Sequence, residues 1–416
     1  MIRLAFKNIW ARKKRLGWLL AELVVVCIIL WRLLDPLIVQ TYVTSLPDGF
    51  EVENLYRISI LEYEPSASCY RKEAADDKVR TENIWRIRER VCHYAGIESA
   101  TFQVGFSGPG GNAFILGGYP VADSVRAQYN VYFVPKSDYF TTFRYLSIGG
   151  PSLRQMDQMT LEGRKHIFTE YAFPDGPSWG RKYKDGFGND HLIMASVLPV
   201  KIRISNPPEQ VQFYPSDVKN VSAIIFRLRD DIDPDDFLPV FQEWANRELQ
   251  LGNYFVNQIE SYRDYMEQST YLKKHDYQVQ LLLTSFFLFC VFFGVSGTFW
   301  MQTRSRREEI GILKSFGATS GRMICLFLLE GLILATVAVV LGAVIYLQYA
   351  LHAGLYMPEI DVCSPYVHYW FESFKEHFLI VSGVVWLLMM LIVSFGIYVP
   401  MRGISRIAPT EALHEE

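Results

Sequence analysis

Uncharged stretches long enough to cross a membrane dominate the pattern of hydrophobic and polar residues along the chain. Three of them are residues 278–303, 323–350 and 378–401. Only Glu330, in the middle stretch, carries a charge at neutral pH. A bilayer core about 30 Å thick is crossed by about 20 apolar helical residues. The pattern therefore predicts three transmembrane helices, which we number spans two, three and four.

A fourth apolar stretch, residues 16–39, contains Glu22 near its start. Residues 1–15 hold six basic residues and no acidic one, which predicts a cytoplasmic N-terminus by the positive-inside rule. A cleaved signal peptide is the alternative, but bulky residues follow the apolar stretch where a peptidase needs small ones. We therefore predict an uncleaved span one. Apolar residues within 1–15 recur at helical spacing, which predicts an amphipathic helix in the headgroup layer, with a plain basic flank as the alternative.

The charges of the connecting loops predict the orientation of the spans. Residues 304–322 hold five basic and two acidic residues, whereas residues 351–377 hold one lysine and four acidic residues. Because basic loops stay in the cytoplasm, the 304–322 loop and the tail 402–416 are predicted inside, and the 351–377 loop outside. Residues 40–277 are then also outside.

This outer segment has the composition of a water-exposed domain, with 32 acidic and 26 basic residues between positions 40 and 277. Apolar residues alternate from Tyr56 to Ile60 and fill Ala223–Leu228, which predicts strands, while Glu82–Tyr94 has helical spacing. Glycine and proline predict loops at Gly105–Gly111 and Pro174–Gly188. The predicted fold class is an α-helical membrane protein with four transmembrane helices and a large mixed α/β domain inserted between helices one and two.

Five acidic residues in seven, from Asp230 to Asp236, raise the question of a calcium site. An EF-hand loop needs glycine at its sixth position and a bidentate glutamate at its twelfth, but Asp236 and Gln242 stand there. The cluster instead fits a helix start, with Asp233 as the N-cap and Pro234 at the first helical position.

We interpret the chain as having no linear pattern for catalysis, metal binding or nucleic-acid binding. The eight histidines lack paired metal-ligand spacing and no Cys-x-x-Cys motif occurs, and a net charge of −3 gives no basis for nucleic-acid binding. We expect neither enzyme activity nor a metal here, although a triad assembled in space keeps an ectoenzyme open. Cys69 and Cys92 are outside and could form a disulfide, but Cys363 makes the outer count odd, so free thiols are equally open.

The segment after span two reads RSRREEIGILKSFGATSGRMICLFLLEGLILA from Arg304. Its apolar residues recur at helical spacing until Gly317, which predicts a short amphipathic helix before span three. The segment closely resembles the signature of MacB/FtsX-type ABC transporter permeases. Pro409–Leu413 is similar to the family's closing Pro-x-Glu-Ala-Leu. Val134–Phe140 and Phe168–Tyr183 resemble segments of the family's MacB-like periplasmic core domain.

The resemblance implies mechanotransmission: two permease chains form a dimer, and an ABC ATPase docked on the helix after span two moves their outer domains. The 416 residues contain no Gly-x-x-x-x-Gly-Lys-Ser/Thr motif. We therefore expect the ATPase, with its ATP and Mg²⁺, on a separate polypeptide and no cofactor on this chain. The residues that the resemblance implies for ATPase docking are Arg307, Glu308, Glu309, Ile310, Gly311, Lys314, Phe316 and Gly317.

Four residues inside the predicted spans are interpreted as structural. Glu330 matches the family's Leu-Leu-Glu-Gly and is expected to pair helices, with a proton relay as the alternative. Glu22 lies within reach of Arg15 or the lysine before it, if the helix continues. Ala338 and Gly342 have the spacing that lets two membrane helices approach closely.

The resemblance also implies a location and a role. The chain would lie in the inner membrane of a bacterium, with both termini cytoplasmic and the 40–277 domain periplasmic. The expected role is export of a drug, peptide or toxin. The alternatives are lipoprotein release and FtsX-like control of cell-wall hydrolases. A periplasmic adaptor and an outer-membrane channel are further candidate partners. From another class, a receptor that signals through the 304–322 loop without ATP stays open.

Overall fold

Nine helices and ten strands make up the part of the chain that the structure, a computed structural model, describes: residues 13–111, 115–121, 124–185, 188–269, 271–304, 306, 311–312, 315–358 and 365–404. The helices are α1 (Lys13–Ser45), α2 (Asp77–Cys92), α3 (Tyr139–Phe143), α4 (Leu153–Asp157), α5 (Pro234–Glu248), α6 (Tyr262–Ser269), α7 (Tyr271–Arg304), α8 (Ser320–Ala353) and α9 (Phe374–Ile404). The strands are β1 (Leu55–Glu62), β2 (Ile97–Val104), β3 (Ile115–Val121), β4 (Ser124–Phe133), β5 (Lys165–Thr169), β6 (Lys182–Lys184), β7 (Asp190–Val197), β8 (Val211–Pro215), β9 (Val221–Leu228) and β10 (Tyr254–Ser261). Two short 3-10 helices are Lys72–Ala75 and Val218–Asn220.

These elements form two compact units. The membrane unit consists of Met1–Thr41, His275–Met357 and Tyr369–Glu416, and the outer unit of Tyr42–Lys274 and Pro358–His368. The second piece of the outer unit comes from the loop predicted as a separate segment at 351–377. Within it, the N–H of Tyr366 donates to the carbonyl oxygen of Tyr171 at 2.8 Å, and the guanidinium carbon of Arg126 lies 4.0 Å from the centre of the Tyr366 ring. Part of the loop between spans three and four therefore packs as outer domain.

Four helices of the membrane unit, α1, α7, α8 and α9, are long and apolar enough to cross a membrane. The stretches that qualify are Gly17–Ser45, His275–Gln302, Ser320–Ala353 and Phe374–Arg402. Each helix contains one of the predicted spans and continues beyond it. The 33 residues of α1 extend about 50 Å at 1.5 Å per residue, which exceeds a bilayer core about 30 Å thick. Part of α1 therefore stands outside the apolar core.

Small residues let the membrane helices approach one another. A Cβ atom on Gly342 of α8 would lie 2.8 Å from the Cys27 sulfur of α1, and one on Gly331 would lie 2.1 Å from Cδ1 of Ile397 in α9. A Cβ atom on Gly396 of α9 would lie 3.0 Å from the backbone of α7. Each glycine occupies a contact that a larger residue would push apart, which is how small residues promote close packing of membrane helices.

Two sheets build the outer unit. The first has the strand order β10-β1-β9-β2 with antiparallel neighbours, and the second is mixed, with the order β3-β4-β8-β5-β7-β6. Ile84 of α2 and Phe241 of α5 share one buried cluster with Phe226 of β9, so both helices pack on the first sheet. The predicted strands fall in β1 and β9, and the predicted helix falls in α2. The predicted class, four membrane helices with a mixed α/β domain between the first and second, is confirmed.

The acidic cluster before α5 starts a helix, as predicted. The Asp233 carboxylate accepts a hydrogen bond from the N–H of Asp235 at 3.0 Å, and Pro234 is the first helical residue. The predicted loop Pro174–Gly188, in contrast, contains strand β6. Lys182–Lys184 pairs with β7 at the edge of the second sheet, a partner that the local glycine and proline pattern does not reveal.

The disulfide considered between Cys69 and Cys92 is absent, because both residues are free thiols. Cys92 is the last residue of α2, and its sulfur lies 4.0 Å from the carbonyl oxygen of Ala100 on β2. The thiol of Cys92 therefore faces the first sheet. Cys69 is exposed in the turn before the first 3-10 helix, and Cys363 lies outside the described residues.

A buried lysine binds the end of α1. The Lys201 side chain is 1% exposed, and its Nζ donates to the carbonyl oxygens of Thr44 at 3.2 Å and Leu46 at 2.5 Å. Burial lowers the pKa of Lys201, and the Asp48 carboxylate 3.5 Å away opposes that effect. The last carbonyls of a helix lack partners within it, and a cation there complements the helix dipole. Lys201 thus supplies both the missing donors and the charge.

Candidate functional site

The loop between spans two and three is the candidate coupling site. α7 ends at Arg304, and α8 begins at Ser320 after Thr319, whose hydroxyl accepts a hydrogen bond from the N–H of Arg322 at 3.4 Å. Of the eight residues expected to dock an ATPase, the structure describes Gly311, Phe316 and Gly317. The residues that lie outside the described ranges are Arg307, Glu308, Glu309, Ile310 and Lys314.

The described part of this loop presents apolar surface. Phe316 is 85% exposed and Ile312 is 47% exposed, whereas Gly311 is buried. The N–H of Phe316 donates to the carbonyl oxygen of Ile312 at 3.2 Å, and Gly317 follows with a φ of +87°, as at a helix end. Aromatic residues are enriched where one protein contacts another. The exposed Phe316 ring therefore fits a docking surface.

Glu330 in span three is paired with an arginine of the loop. Its carboxylate lies 2.6 Å from the guanidinium of Arg306, which follows the end of α7 by two residues. The Arg306 and Glu330 side chains are only 12% and 8% exposed, and the guanidinium carbon lies 5.1 Å from the centre of the Phe327 ring. An ionised carboxylate at membrane depth needs such a partner. Glu330 thus joins span three to the loop.

Glu22, the acid of span one, has a partner that sequence spacing did not suggest. Its carboxylate accepts a hydrogen bond from the Thr298 hydroxyl of α7 at 3.2 Å. The side chains of Lys14 and Arg15, its expected partners, lie outside the described residues. The described contact therefore links Glu22 to span two.

The small residues of span three lie against span one. Ala338 is fully buried, and one turn later Gly342 leaves no room for a Cβ beside Cys27. The sulfur of Cys27 lies 3.9 Å from the carbonyl oxygen of Val339. The backbones of α1 and α8 are therefore close at the Ala338–Gly342 pair.

A buried acid–histidine pair, which the sequence did not single out, joins α1, α9 and the segment that follows α8. Asp35 Oδ1 lies 2.6 Å from His377 Nε2, and the two side chains are 2% and 0% exposed. The other Asp35 oxygen accepts from the N–H of Tyr356 at 3.0 Å, and His377 Nδ1 lies 3.1 Å from the carbonyl oxygen of Phe371. Both ring nitrogens face oxygen atoms, so the aspartate and the ring together must hold two protons to form both hydrogen bonds.

An open cavity of about 530 Å³ in the outer unit is lined by charged side chains. Those charges largely pair with one another: Arg144 lies 2.8 Å from Glu51 and 2.7 Å from Glu98. Arg227 at the same cavity is buried and donates to three backbone carbonyl oxygens. Because these groups are satisfied by the protein itself, we assign them to the stability of the outer unit.

Two stacked histidines form a hydrogen-bonded chain with an aspartate in the outer unit. His166 Nε2 lies 2.7 Å from His191 Nδ1, and His191 Nε2 lies 3.1 Å from Asp185. Both hydrogen bonds can form when His166 Nε2–H donates to His191 Nδ1 and His191 Nε2–H donates to Asp185. Burial and the neighbouring His191 lower the pKa of His166 to about 4. Among the described residues, no three His, Cys, Asp or Glu side chains are arranged to bind a metal ion.

We expect this pair to make the outer unit less stable in acid. A histidine in an unfolded chain has a pKa of about 6.5, so between pH 6.5 and 4 the unfolded state binds more protons than the folded one. Stability is then fully present above pH 6.5 and falls toward pH 4 by at most about 3 kcal/mol. Thermal unfolding at pH 7.5 and 5.0 should show a loss that His166→Gln removes and that His93→Gln, at an exposed position, leaves in place. An equal loss in all three proteins would contradict the assignment.

The interpretation that the chain holds no linear pattern for catalysis is wrong at one place, because the spacing Gly-x-Ser-x-Gly of many serine hydrolases occurs at Gly176–Gly180. The structural setting of a nucleophile, however, does not occur there. In those enzymes the serine is exposed on a sharp turn between a strand and a helix. Here Ser178 is fully buried in the connection from β5 to β6, and its N–H donates to the Glu170 carboxylate at 2.8 Å. We therefore interpret this segment as a structural loop.

Comparisons with known proteins give one family match and several structural similarities. Residues 281–409 match the model of the FtsX-like permease C-terminal family, which confirms the resemblance seen in the loop sequence. No curated protein matches the chain. Among solved structures, the periplasmic region of MacB from Actinobacillus actinomycetemcomitans is 11% identical, with a TM-score of 0.30, over 55% of this chain and 94% of that one. A domain of a putative permease protein from Porphyromonas gingivalis is 13% identical, with a TM-score of 0.27, over 51% and 94% of the respective chains.

Proposed function

We propose that this FtsX-type membrane permease converts ATP hydrolysis by a separate ABC ATPase into movement of its outer domain. The observation that carries the proposal is the match of residues 281–409 to the FtsX-like permease C-terminal family. The arrangement of four apolar helices with a mixed α/β domain between the first two supports it. ATP and Mg²⁺ would bind to the ATPase, and this chain would supply the docking surface and the moving helices.

The proposed setting is the inner membrane of a bacterium. The basic 304–322 loop and the acidic 351–377 loop favour cytoplasmic termini and a periplasmic outer domain. A second permease chain would complete the membrane part, so that two docked ATPases can close on each other. The proposed role is export of a drug, peptide or toxin, with an adaptor and an outer-membrane channel as further partners. A strain without this chain should then become more sensitive to the exported compound while its lipoproteins stay correctly localised.

The docking surface is proposed to be the loop from Arg307 to Gly317. Its described residues include the exposed Phe316 ring and the half-exposed Ile312 side chain, which an ATPase groove could cover. Glu308 and Glu309 add two negative charges to the sequence of this loop. Because both ends of the loop continue into membrane helices, an ATPase that moves the loop would also move spans two and three.

Reversing the charge of the two loop acids, Glu308→Lys with Glu309→Lys, should release the ATPase. Charged contacts at an interface set specificity, and like charges opposed across it cost several kcal/mol, so we expect the co-purified ATPase to fall by about ten-fold or more. The measurement is affinity purification of the full chain from mild-detergent extracts of its native membrane, with mass spectrometry and an ATP hydrolysis assay. Glu243→Lys, at an exposed position of the outer unit, is the matched control.

The same experiment separates this proposal from a receptor. An ATPase with a P-loop that co-purifies with the wild type and with Glu243→Lys, but not with the double charge reversal, supports the transporter. A kinase, or no nucleotide-binding partner at all with the wild type, would argue for ligand sensing without ATP and against the proposal. Unchanged ATPase recovery with the charge reversal would contradict only the assignment of Glu308 and Glu309.

A further inference from the structure

A buried ion pair connects the coupling loop to span three. Arg306 stands directly before the proposed docking residues, and its side chain leaves the loop to reach Glu330, with 2.6 Å between Nη1 and Oε2. Glu330 lies ten residues after the start of α8 at Ser320, about 15 Å along the helix axis at 1.5 Å per residue. The loop is thus attached to α8 well above the point where the chain itself enters that helix.

We infer that the pair of Arg306 and Glu330 is the joint through which an ATPase docked on the loop moves span three. Arg306 is then a positioning residue of the coupling machinery, not part of the docking surface. This inference rests on the proposed function, because it needs an ATPase that moves the loop.

The burial of the pair makes the joint stiff. A solvent-exposed ion pair contributes little and separates readily, because water replaces each partner. With the Arg306 and Glu330 side chains 12% and 8% exposed, separation would take the Arg306 guanidinium away from a carboxylate that water hardly reaches, and breaking a buried ion pair is strongly unfavourable. The Phe327 ring 5.1 Å from the guanidinium carbon adds a cation–π contact on the same helix. Displacement of the loop therefore carries the α8 backbone with it.

The packing around Glu330 extends that displacement to span four. The next residue, Gly331, is so close to α9 that a Cβ would lie 2.1 Å from Ile397 Cδ1 and 3.2 Å from Val393. Close-packed interiors transmit strain, because they contain few voids that could absorb a shift. Spans three and four thus move together at this level. At the other end of α8, the N–H of Tyr356 is bonded to Asp35 at 3.0 Å and can report that movement.

The test uses the full chain purified with its ATPase and compares two variants. Arg306→Met with Glu330→Met removes both charges together, and replacing a buried ion pair by apolar residues of similar volume often preserves stability. Methionine contacts are flexible and lack direction, so the joint is loosened while the fold is kept. Arg304→Gln, two residues earlier and at an exposed position, is the matched control. Melting temperature verifies folding, co-purification measures docking, and ATP-dependent hydrogen exchange at Tyr356 measures transmission.

We expect ATP to change the exchange rate at Tyr356 by about five-fold or more in the wild type and in Arg304→Gln, a typical coupling between distant sites. The double methionine variant should retain its ATPase and lose that response.

A retained response in the double variant would overturn the inference and leave the proposed function standing. Loss of ATPase binding in the double variant would also overturn it, since Arg306 would then belong to the docking surface. A wild type that binds an ATPase but shows no response at Tyr356 would overturn it as well, and a wild type without any ATPase would remove both proposals.

Discussion

The Asp35→Ala variant of the full chain should lose about 3 to 5 kcal/mol of stability, the usual cost of removing one partner of a buried ion pair. Asp35 and His377 are almost fully buried, 2.6 Å apart, and each makes a second hydrogen bond to the backbone. Without the carboxylate, the fully buried His377 Nε2 and the half-buried N–H of Tyr356 would both lose their acceptor. The apparent melting temperature in mild detergent would fall accordingly.

Three further variants isolate the contribution of the pair. Lys375→Ala, at an exposed position two residues before His377, should change the stability by less than about 0.5 kcal/mol. His377→Ala should resemble Asp35→Ala, and the double variant should lose clearly less than the sum of the two single losses, because each single variant removes the same interaction and leaves the other partner buried and unpaired. Additive losses would show that the two side chains contribute independently.

Replacing Arg227 by methionine should destabilise the outer unit by about 3 to 5 kcal/mol, because three buried carbonyl oxygens then lose the guanidinium group that donates to all of them. The guanidinium donates to the carbonyl oxygens of Thr142 at 2.7 Å, Glu53 at 2.8 Å and Glu51 at 2.6 Å. Its side chain is 1% exposed, and burial together with nearby Arg144 lowers the pKa of Arg227 to about 10. Methionine fills similar space but leaves the three carbonyls without donors.

Hydrogen exchange in β9 of the full chain would measure this loss. Arg227→Lys keeps the charge but cannot reach three acceptors with one ammonium group, so it should recover only a small part of the stability. Arg229→Met, two residues later and 52% exposed, should stay within about 0.5 kcal/mol of the wild type. If Arg227→Lys restored full protection, positive charge and not the three-way hydrogen bonding would be the stabilising property.

Local patterns were sufficient for the elements whose stability depends on nearby residues. The four spans follow from the length of the apolar stretches, and the start of α5 follows from the Asp233 cap and Pro234. The first sheet was partly visible as well, because Tyr56–Ile60 and Ala223–Leu228 carry the apolar residues that its core needs.

The polar contacts of the membrane unit depend on residues far apart in the chain. Asp35 and His377 are separated by 342 positions, so neither residue reveals the other, although an acid inside an apolar stretch was a signal that a partner must exist. Glu330 was singled out for that reason. Its partner Arg306 was not, because it is one of five basic residues in a loop whose positive charge is already explained by the orientation of the protein in the membrane. The Cys69–Cys92 bridge failed for a similar reason, since only the fold shows which way the Cys92 thiol points.

The contacts of Lys201 restrict rotation of the end of α1 about the helix axis. A helix anchored only by its last peptide bond could spin about its own axis without disturbing the domain that follows. The hydrogen bonds from Lys201 Nζ to the carbonyl oxygens of Thr44 and Leu46 prevent such free spinning, because turning the end of α1 would drag a buried ammonium group out of its pocket. Lys201 therefore fixes the orientation of the last turn of α1 about the helix axis as well as its position.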